Sequence, residues 1–394
     1  MKMKSIIPAF ILLVGLLITP HLVFHKVELP VIKANSIRVD IRDGGVLKKS
    51  TWKIVPKIKP DVYVTSIKNS KVTFYTDLDS ISFTIKPNEK YRFIILLNGK
   101  DSALTEIIYF PSFMETLKRA AQYNANETRD IPKFTYQSAD NPNLQSLRKH
   151  FKLDSIAGRG DEFTKVTNML HWVHNLIRHD GNNGNPEIKN AESMIAVCKK
   201  EGRGLNCRGL AITLNECYLS LGFKSRYVTC LPKDSLKKDN DCHVINMVYL
   251  KSKSKWVWMD PTFNSYVMDE KGEPLSIEEV RERIIEDKPL VLNKEGNWNN
   301  KNPVVKEEYL FNYMAKNLYM LECPAASEYD SETINNGKLH VEKIKLSENI
   351  KLLPLDYFNQ APIKIYSYYN NINTGNLYLT NNSKAFWAKP SIIE

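Results

Sequence analysis

Six cysteines and eight histidines are spread over a chain of 394 residues, and few of them stand where covalent chemistry needs them. Cys207 lies in Glu201-Gly-Arg-Gly-Leu-Asn-Cys-Arg-Gly-Leu210, a glycine-rich entry to an apolar stripe. Leu210, Leu214, Cys217, Tyr218 and Leu221 recur at helical spacing, and Gly222 is a natural stop. The pattern predicts Cys207 in the first turn of a buried helix. There, free N–H groups and the positive end of the helix dipole stabilise a thiolate, which is the nucleophilic form. The other cysteines fit that role less well. Cys198 and Cys217 fall in mid-helix, Cys230 and Cys242 at strand ends, and Cys323 before a proline.

A thiolate needs a base. His243 opens the apolar run Val-Ile-Asn-Met-Val-Tyr-Leu, which reads as a strand, and Asp260 ends the next one, Trp256-Val-Trp-Met-Asp-Pro261. If the two strands pair as a hairpin, Asp260 orients His243 and supports its imidazolium. Cys, His and Asp then follow in order over 54 residues. His171, His174 and His179 are the rivals, the first two near one helix face. Without a visible fourth ligand they read as solvated or capping residues, and no metal is expected. The cysteine spacings contain no C-x-x-C pair, which also argues against zinc. Asn206 can offer an amide N–H to an oxyanion beside the backbone N–H of Cys207. Tyr266 and Trp256 are candidates to line the cleft.

The elements that must position these residues are legible in outline. Residues 36–110 alternate apolar and polar between turn signals such as Asp43-Gly44-Gly45 and Asn98-Gly99, which predicts a small all-β sandwich as an accessory domain. Ser112 with Glu115 caps a helix, and 111–143 reads as that helix plus a linker. Residues 144–300 are the expected catalytic core. It begins with helices over Asp161–His179 and Ala191–Lys200, the first capped by Asp161 and the second by Asn190. Strands at Ser225–Cys230, His243–Leu250 and Trp256–Met259 follow, then a helix with Ser276 and Glu279 as capping box. Residues 301–394 form a C-terminal helix plus β extension. Helices then strands make an α+β order.

A family resemblance rests on these same segments. Gly204-Leu-Asn-Cys-Arg-Gly-Leu-Ala211, running on through Leu219-Ser-Leu-Gly-Phe-Lys-Ser-Arg-Tyr-Val228, resembles the nucleophile segment of the transglutaminase-like superfamily. His243 with its strand, and Trp258-Met-Asp-Pro-Thr262, are similar to that family's histidine and aspartate segments, as is the helix holding Trp172-Val-His-Asn175. The resemblance covers about residues 140 to 290. It implies a papain-like core and thiol chemistry on an amide or acyl group. Two positions depart from it: Ile245 stands where many relatives carry tryptophan, and Asn206 where papain-type enzymes often place glutamine.

Bulk properties narrow the remaining choices. The net charge of +11, from 55 Lys and Arg against 44 Asp and Glu, is spread without a basic run, so a nucleic-acid partner is not expected. Lys2 and Lys4 precede an apolar stretch from Ile6 to Phe24, so residues 1–30 read as a signal peptide or N-terminal membrane anchor. That places the catalytic part outside the cytoplasm, as a periplasmic, extracellular or membrane-anchored protein. In such a compartment Cys230 and Cys242 could face each other across a hairpin. The expected activity is hydrolysis of peptide or other amide bonds through a thioester, without a cofactor. Protein crosslinking by acyl transfer is the alternative, ranked lower because no acidic cluster suggests calcium sites. A non-catalytic surface module keeping only the fold is the third reading, and it has no need of a Cys–His–Asp set.

Overall fold

The computed structural model describes residues 28–56, 59–233, 241–333, 347–358, 364–369 and 372–390. The expected signal or anchor at 1–30 lies almost wholly outside the described residues, among which no helix is long and apolar enough to cross a membrane. The chain divides into two compact units, ending and beginning at Phe110 and Pro111.

The first unit is β-rich because its strands alternate. Its strands are β1 (Val31–Ala34), β2 (Arg38–Asp43), β3 (Val46–Lys53), β4 (Asp61–Thr65), β5 (Lys71–Tyr75), β6 (Ser80–Thr84), β7 (Lys90–Leu97) and β8 (Asp101–Tyr109). They form two four-stranded sheets, in the orders β1-β7-β8-β4 and β3-β2-β5-β6. On β2, Val39 and Ile41 turn inward while Arg38 and Asp40 face water. Both sheets feed one apolar core, where Phe74 and Phe93 meet edge to face at 5.1 Å. The buried Asp43 carboxylate is satisfied by hydroxyls of Tyr63, Thr65 and Ser70.

The second unit opens with α1 (Phe113–Lys118), then β9 (Thr135–Tyr136), which pairs in parallel with Ala326–Ser327. A helical layer follows: α2 (Pro142–His150), α3 (Leu153–Ala157), α4 (Glu162–Leu176), α5 (Ala191–Glu201) and α6 (Cys207–Ser220). The caps are local chemistry. Asn141, Asp161 and Asn190 each accept a backbone N–H at the start of α2, α4 and α5. Every residue of α6 from Gly209 to Ser220 is buried. The Glu216 carboxylate, inside this layer, accepts the Ala191 and Asp330 N–H groups at 2.7 and 2.9 Å. Burial still pushes its pKa up to about 8.

Against the helices lies a seven-stranded sheet. Strands β10 (Ser225–Leu231), β11 (His243–Leu250) and β12 (Lys255–Met259) are antiparallel neighbours at one side. Beyond β10 the sheet continues through Met320–Pro324, Ser347–Leu352, Ile372–Thr380 and Lys364–Tyr369. The C-terminal region thus adds strands to the core's own sheet. All of β11 is buried, because both faces are covered. Val244, Val248 and Leu250 face the helical layer; Ile245, Met247 and Tyr249 face a second core with Trp258, Leu310 and Tyr319. Helix α7 (Ile277–Ile285) covers that second face, with both bonds of the Ser276–Glu279 capping box formed.

The second core holds a fully buried arginine. The Arg226 guanidinium lies 3.7 Å from the Phe134 ring centre and 4.8 Å from that of Trp256. Two of its nitrogens donate to the Phe386 carbonyl at 3.2 Å. A planar cation suits this slot; an ammonium does not.

Two outcomes follow for stability. Arg226→Lys should destabilise the chain by about 2 kcal/mol, read as a lowered urea midpoint, because lysine loses the stacked plane and the paired donors. An unchanged midpoint would show that the rings contribute nothing. Glu216 acts through pH. The folded chain keeps its carboxyl proton up to about 8, whereas the unfolded carboxyl, at its ordinary 4.5, has already released it. Its contribution is therefore full below the lower value and lost as pH rises to the higher one. The urea midpoint should fall less steeply with pH across this window in Glu216→Gln than in the parent chain.

Candidate active site

Cys207 is the first residue of α6 because its neighbours are built to start a helix there. Asn206 is the cap: its Oδ1 accepts the Gly209 N–H at 3.1 Å. Asn185 braces that cap, donating Nδ2–H to Asn206 Oδ1 at 2.8 Å and accepting the Asn206 N–H at 3.1 Å. The glycines answer close approaches. A Cβ on Gly209 would sit 2.5 Å from Asn185 Oδ1, and one on Gly204 2.5 Å from the Arg178 carbonyl oxygen. Residues 178–180 consequently run hard beside 204–205, with Asp180 N–H on the Leu205 carbonyl at 2.7 Å and a parallel bridge from His179 to Leu205. This brings His179 next to Cys207.

His243 and Asp260 reach the same place through strand register. The β11–β12 ladder ends on Asn246 opposite Met259, so the next step sets Ile245 against Asp260. His243 shares the face of Ile245 and is the diagonal neighbour of Asp260. Its Nε2–H donates to Asp260 Oδ2 at 2.7 Å, with both side chains buried. Nδ1 is left for the thiol. Asp260 Oδ2 also accepts the Tyr309 hydroxyl at 2.6 Å, and Oδ1 accepts the Thr262 and Phe263 N–H groups at 2.9 and 3.3 Å. Tyr309 comes from a π-helix, Glu307–Met314. The His243 ring leans on Phe263 and Tyr313, at 5.6 and 5.3 Å between centres.

The electrostatics follow from this geometry. Burial alone would raise the Cys207 pKa, but hydrogen bonds from His179 and His243, the His243 charge and the Val244 N–H bring it down to about 6. Burial alone would lower that of His243, yet the charge and hydrogen bond of Asp260, with the nearby thiolate, hold it well above the ordinary imidazole range. The favoured state is a thiolate beside an imidazolium. Cys217, Cys230 and Cys242 are pushed the other way, chiefly by burial. All six cysteines are free thiols. Cys230 sits opposite His243 in the ladder rather than opposite Cys242, so the hairpin does not bring those two sulfurs into register.

Of the six residues singled out from sequence, Cys207, His243 and Asp260 converge. Asn206 adjoins them with its oxygen committed to capping α6. Tyr266 is half-buried and meets Phe163 edge to face at 5.2 Å. Trp256 shares the sheet face of His243 but pairs with Tyr249, six positions further along β11, and its Nε1–H donates to the Trp387 carbonyl at 3.2 Å, so it lines the second core at a distance from the cleft. The helix α4 histidines are neither solvated nor capping. His174 bonds the Pro261 carbonyl through Nδ1 at 2.9 Å, and His171 bonds Asn264 Oδ1 at 2.6 Å, so both pin the Asp260 loop. His179, read from sequence as a solvated or capping rival, instead adjoins Cys207, and Tyr309 is not singled out by sequence at all. The extended 178–180 segment that bridges to Leu205 carries His179 to the thiol, and nothing local to either residue signals that placement. Among the described residues no group of three or more His, Cys, Asp or Glu side chains could hold a metal ion.

Comparison with known proteins adds the family. Residues 149–261 match the family model described as transglutaminase-like superfamily. No curated protein matches the chain. Among solved structures, one described as "a Putative Cysteine Protease from Cytophaga hutchinsonii" aligns at 20% identity and a TM-score of 0.24, over 33% of this chain and 40% of that one. The family match spans Cys207, His243 and Asp260 and stops one residue beyond the carboxylate. The chain thus carries a transglutaminase-like domain over residues 149–261.

Proposed function

We propose that this chain is an exported, thiol-dependent hydrolase of peptide or other amide bonds. The observation that carries the reading is the chain of contacts from the Cys207 sulfur through His243 to the buried Asp260 carboxylate. Export rests on Lys2, Lys4 and the apolar stretch that follows them.

The steps balance with these residues alone. The Cys207 thiolate attacks the carbonyl carbon, forming a C–S bond and moving the carbonyl electron pair onto oxygen. Collapse of that oxyanion breaks the C–N bond, and the proton on His243 Nδ1 passes to the leaving amine. His243, now neutral, takes a proton from water as it attacks the thioester, and the acid and thiolate are released with the imidazolium restored. Asp260 keeps the proton on Nε2 and steadies the charge throughout.

The oxyanion needs donors. One is the Cys207 N–H at the head of α6. His179 supplies the second. Trp298 Nε1–H donates to His179 Nδ1 at 3.4 Å, which leaves the ring proton on Nε2 and makes the imidazole a donor toward the site. His243 is the base and His179 the donor.

Cys207→Ala should remove activity, and His243→Ala should lower kcat/KM by about 10³-fold or more. His179→Ala should cost about 10²-fold, the loss of one oxyanion donor. A His179 variant as inactive as the His243 one would reverse the two roles. Iodoacetamide should alkylate Cys207 at a rate that rises through about pH 6 and then levels, following the lowered thiol. In Asp260→Asn that rise should move to higher pH; a rise only above pH 8 in the parent chain would sink the activated thiolate. Mass spectrometry of products formed from a peptide plus a primary amine separates the chemistries. The free acid is expected, and an amine-bearing product would replace hydrolysis with acyl transfer.

A further inference from the structure

A cleft of about 420 Å³ opens beside the triad, and its walls come from outside the family-matched segment. Its inner wall is Phe263, Tyr309 and Tyr313, its outer wall Phe113, Trp298 and Val305. Three features tie it to the chemistry. Phe263 and Tyr313 are the rings against His243, Tyr309 holds Asp260, and Trp298 holds His179. The cleft therefore runs between the supports of the two histidines that flank Cys207. Its volume falls in the usual range for a small-ligand pocket, about 300–1,000 Å³.

The lining decides the ligand. Phe113, Trp298 and Val305 are 38%, 39% and 58% exposed, a cluster of large apolar side chains that water does not favour. The charges at the rim already meet partners: Lys316 Nζ is 2.6 Å from Asp241 Oδ2, and Glu308 accepts from Asn312 at 3.1 Å. An ionic side chain would have to displace them, whereas an apolar one fills the space without doing so. An aromatic guest would also find ring edges and faces on both walls.

We infer that this cleft is the subsite for an aromatic or large aliphatic side chain adjoining the scissile acyl group of a peptide substrate. The inference rests on the hydrolase reading and adds what that hydrolase selects. Residues beyond the family segment, among them Trp298 and the π-helix, then set specificity for a thiol site that the family segment supplies.

The test labels Cys207 directly, so turnover is not needed. The full chain is treated with short peptidyl vinyl sulfones that differ only in the side chain nearest the electrophile: Phe, Leu, Ala or Asp. Labelling is followed by intact-mass spectrometry. Phe and Leu probes should label at least about tenfold faster than Ala and Asp probes, as filling an apolar pocket implies. Val305→Trp, a change at an exposed position, should bring the Phe-to-Ala ratio close to one by occupying the cleft. Equal rates for all four probes would overturn the inference, as would a Phe-to-Ala ratio that Val305→Trp leaves unaltered. An octanoyl vinyl sulfone that outpaces the Phe probe would overturn it too, in favour of a lipid-like acyl group. Failure of the hydrolase reading looks different: iodoacetamide would then show an unactivated Cys207, while sorting of the four probes would still establish the subsite.

Discussion

The second unit is organised around one buried charge. Asp260 has no exposed surface, and a carboxylate taken from water costs several kcal/mol unless its lone pairs are met. Here four donors meet them: the His243 ring, the Tyr309 hydroxyl and two N–H groups of its own turn. Those donors come from β11, from the π-helix and from the loop after β12. Satisfying the carboxylate therefore forces three elements to one point. It also fixes the tautomer of His243 and keeps its imidazolium charged, which in turn favours a thiolate on Cys207.

The supporting layer shares a second task, keeping the thiol and the carboxylate from drifting apart. Cys207 enters from the helical side of the sheet, whereas His243 and Asp260 belong to the other face and meet it at the strand ends. Helix α4 spans that gap. Its His171 and His174 hold Asn264 and Pro261 in the Asp260 loop, while its C-terminal exit lays His179 against Leu205, two residues before Cys207. Gly204 and Gly209 allow the approach, since any Cβ at either would collide with backbone or with Asn185. A helix dipole, a cap and two close contacts thus act on one sulfur.

The sheet does more than carry the site. Strands from residues 320 to 380 extend it, so the family segment by itself would leave β10 with an unpaired edge. The same C-terminal region supplies Tyr309 to Asp260, Phe386 to Arg226 and most of the cleft. Its residues hold the Asp260 carboxylate and line the cleft beside His243, two features that the family match ending at residue 261 does not contain.

Sequence by itself determined whatever depends on neighbours a few positions away. The caps at Asp161, Asn190 and Ser276, the helical stripe behind Cys207 and the alternation in β2 are all short-range matters of hydrogen bonding and periodicity. The Cys207–His243–Asp260 set was readable for the same reason: a helix start and one hairpin suffice to propose it. Tertiary structure decided the rest. The alternation of β12 shows that Trp256 and Trp258 share a face but not what covers it; Trp387 covers Trp256 there, far along the strand from the cleft, because of where distant segments pack. His179 and Tyr309 stand 28 and 102 positions from Cys207, and no local rule brings them to the thiol and its carboxylate. They arrive through a backbone bridge to Leu205 and a hydrogen bond to the buried Asp260, and satisfaction of buried polar groups is settled only when the whole chain has folded.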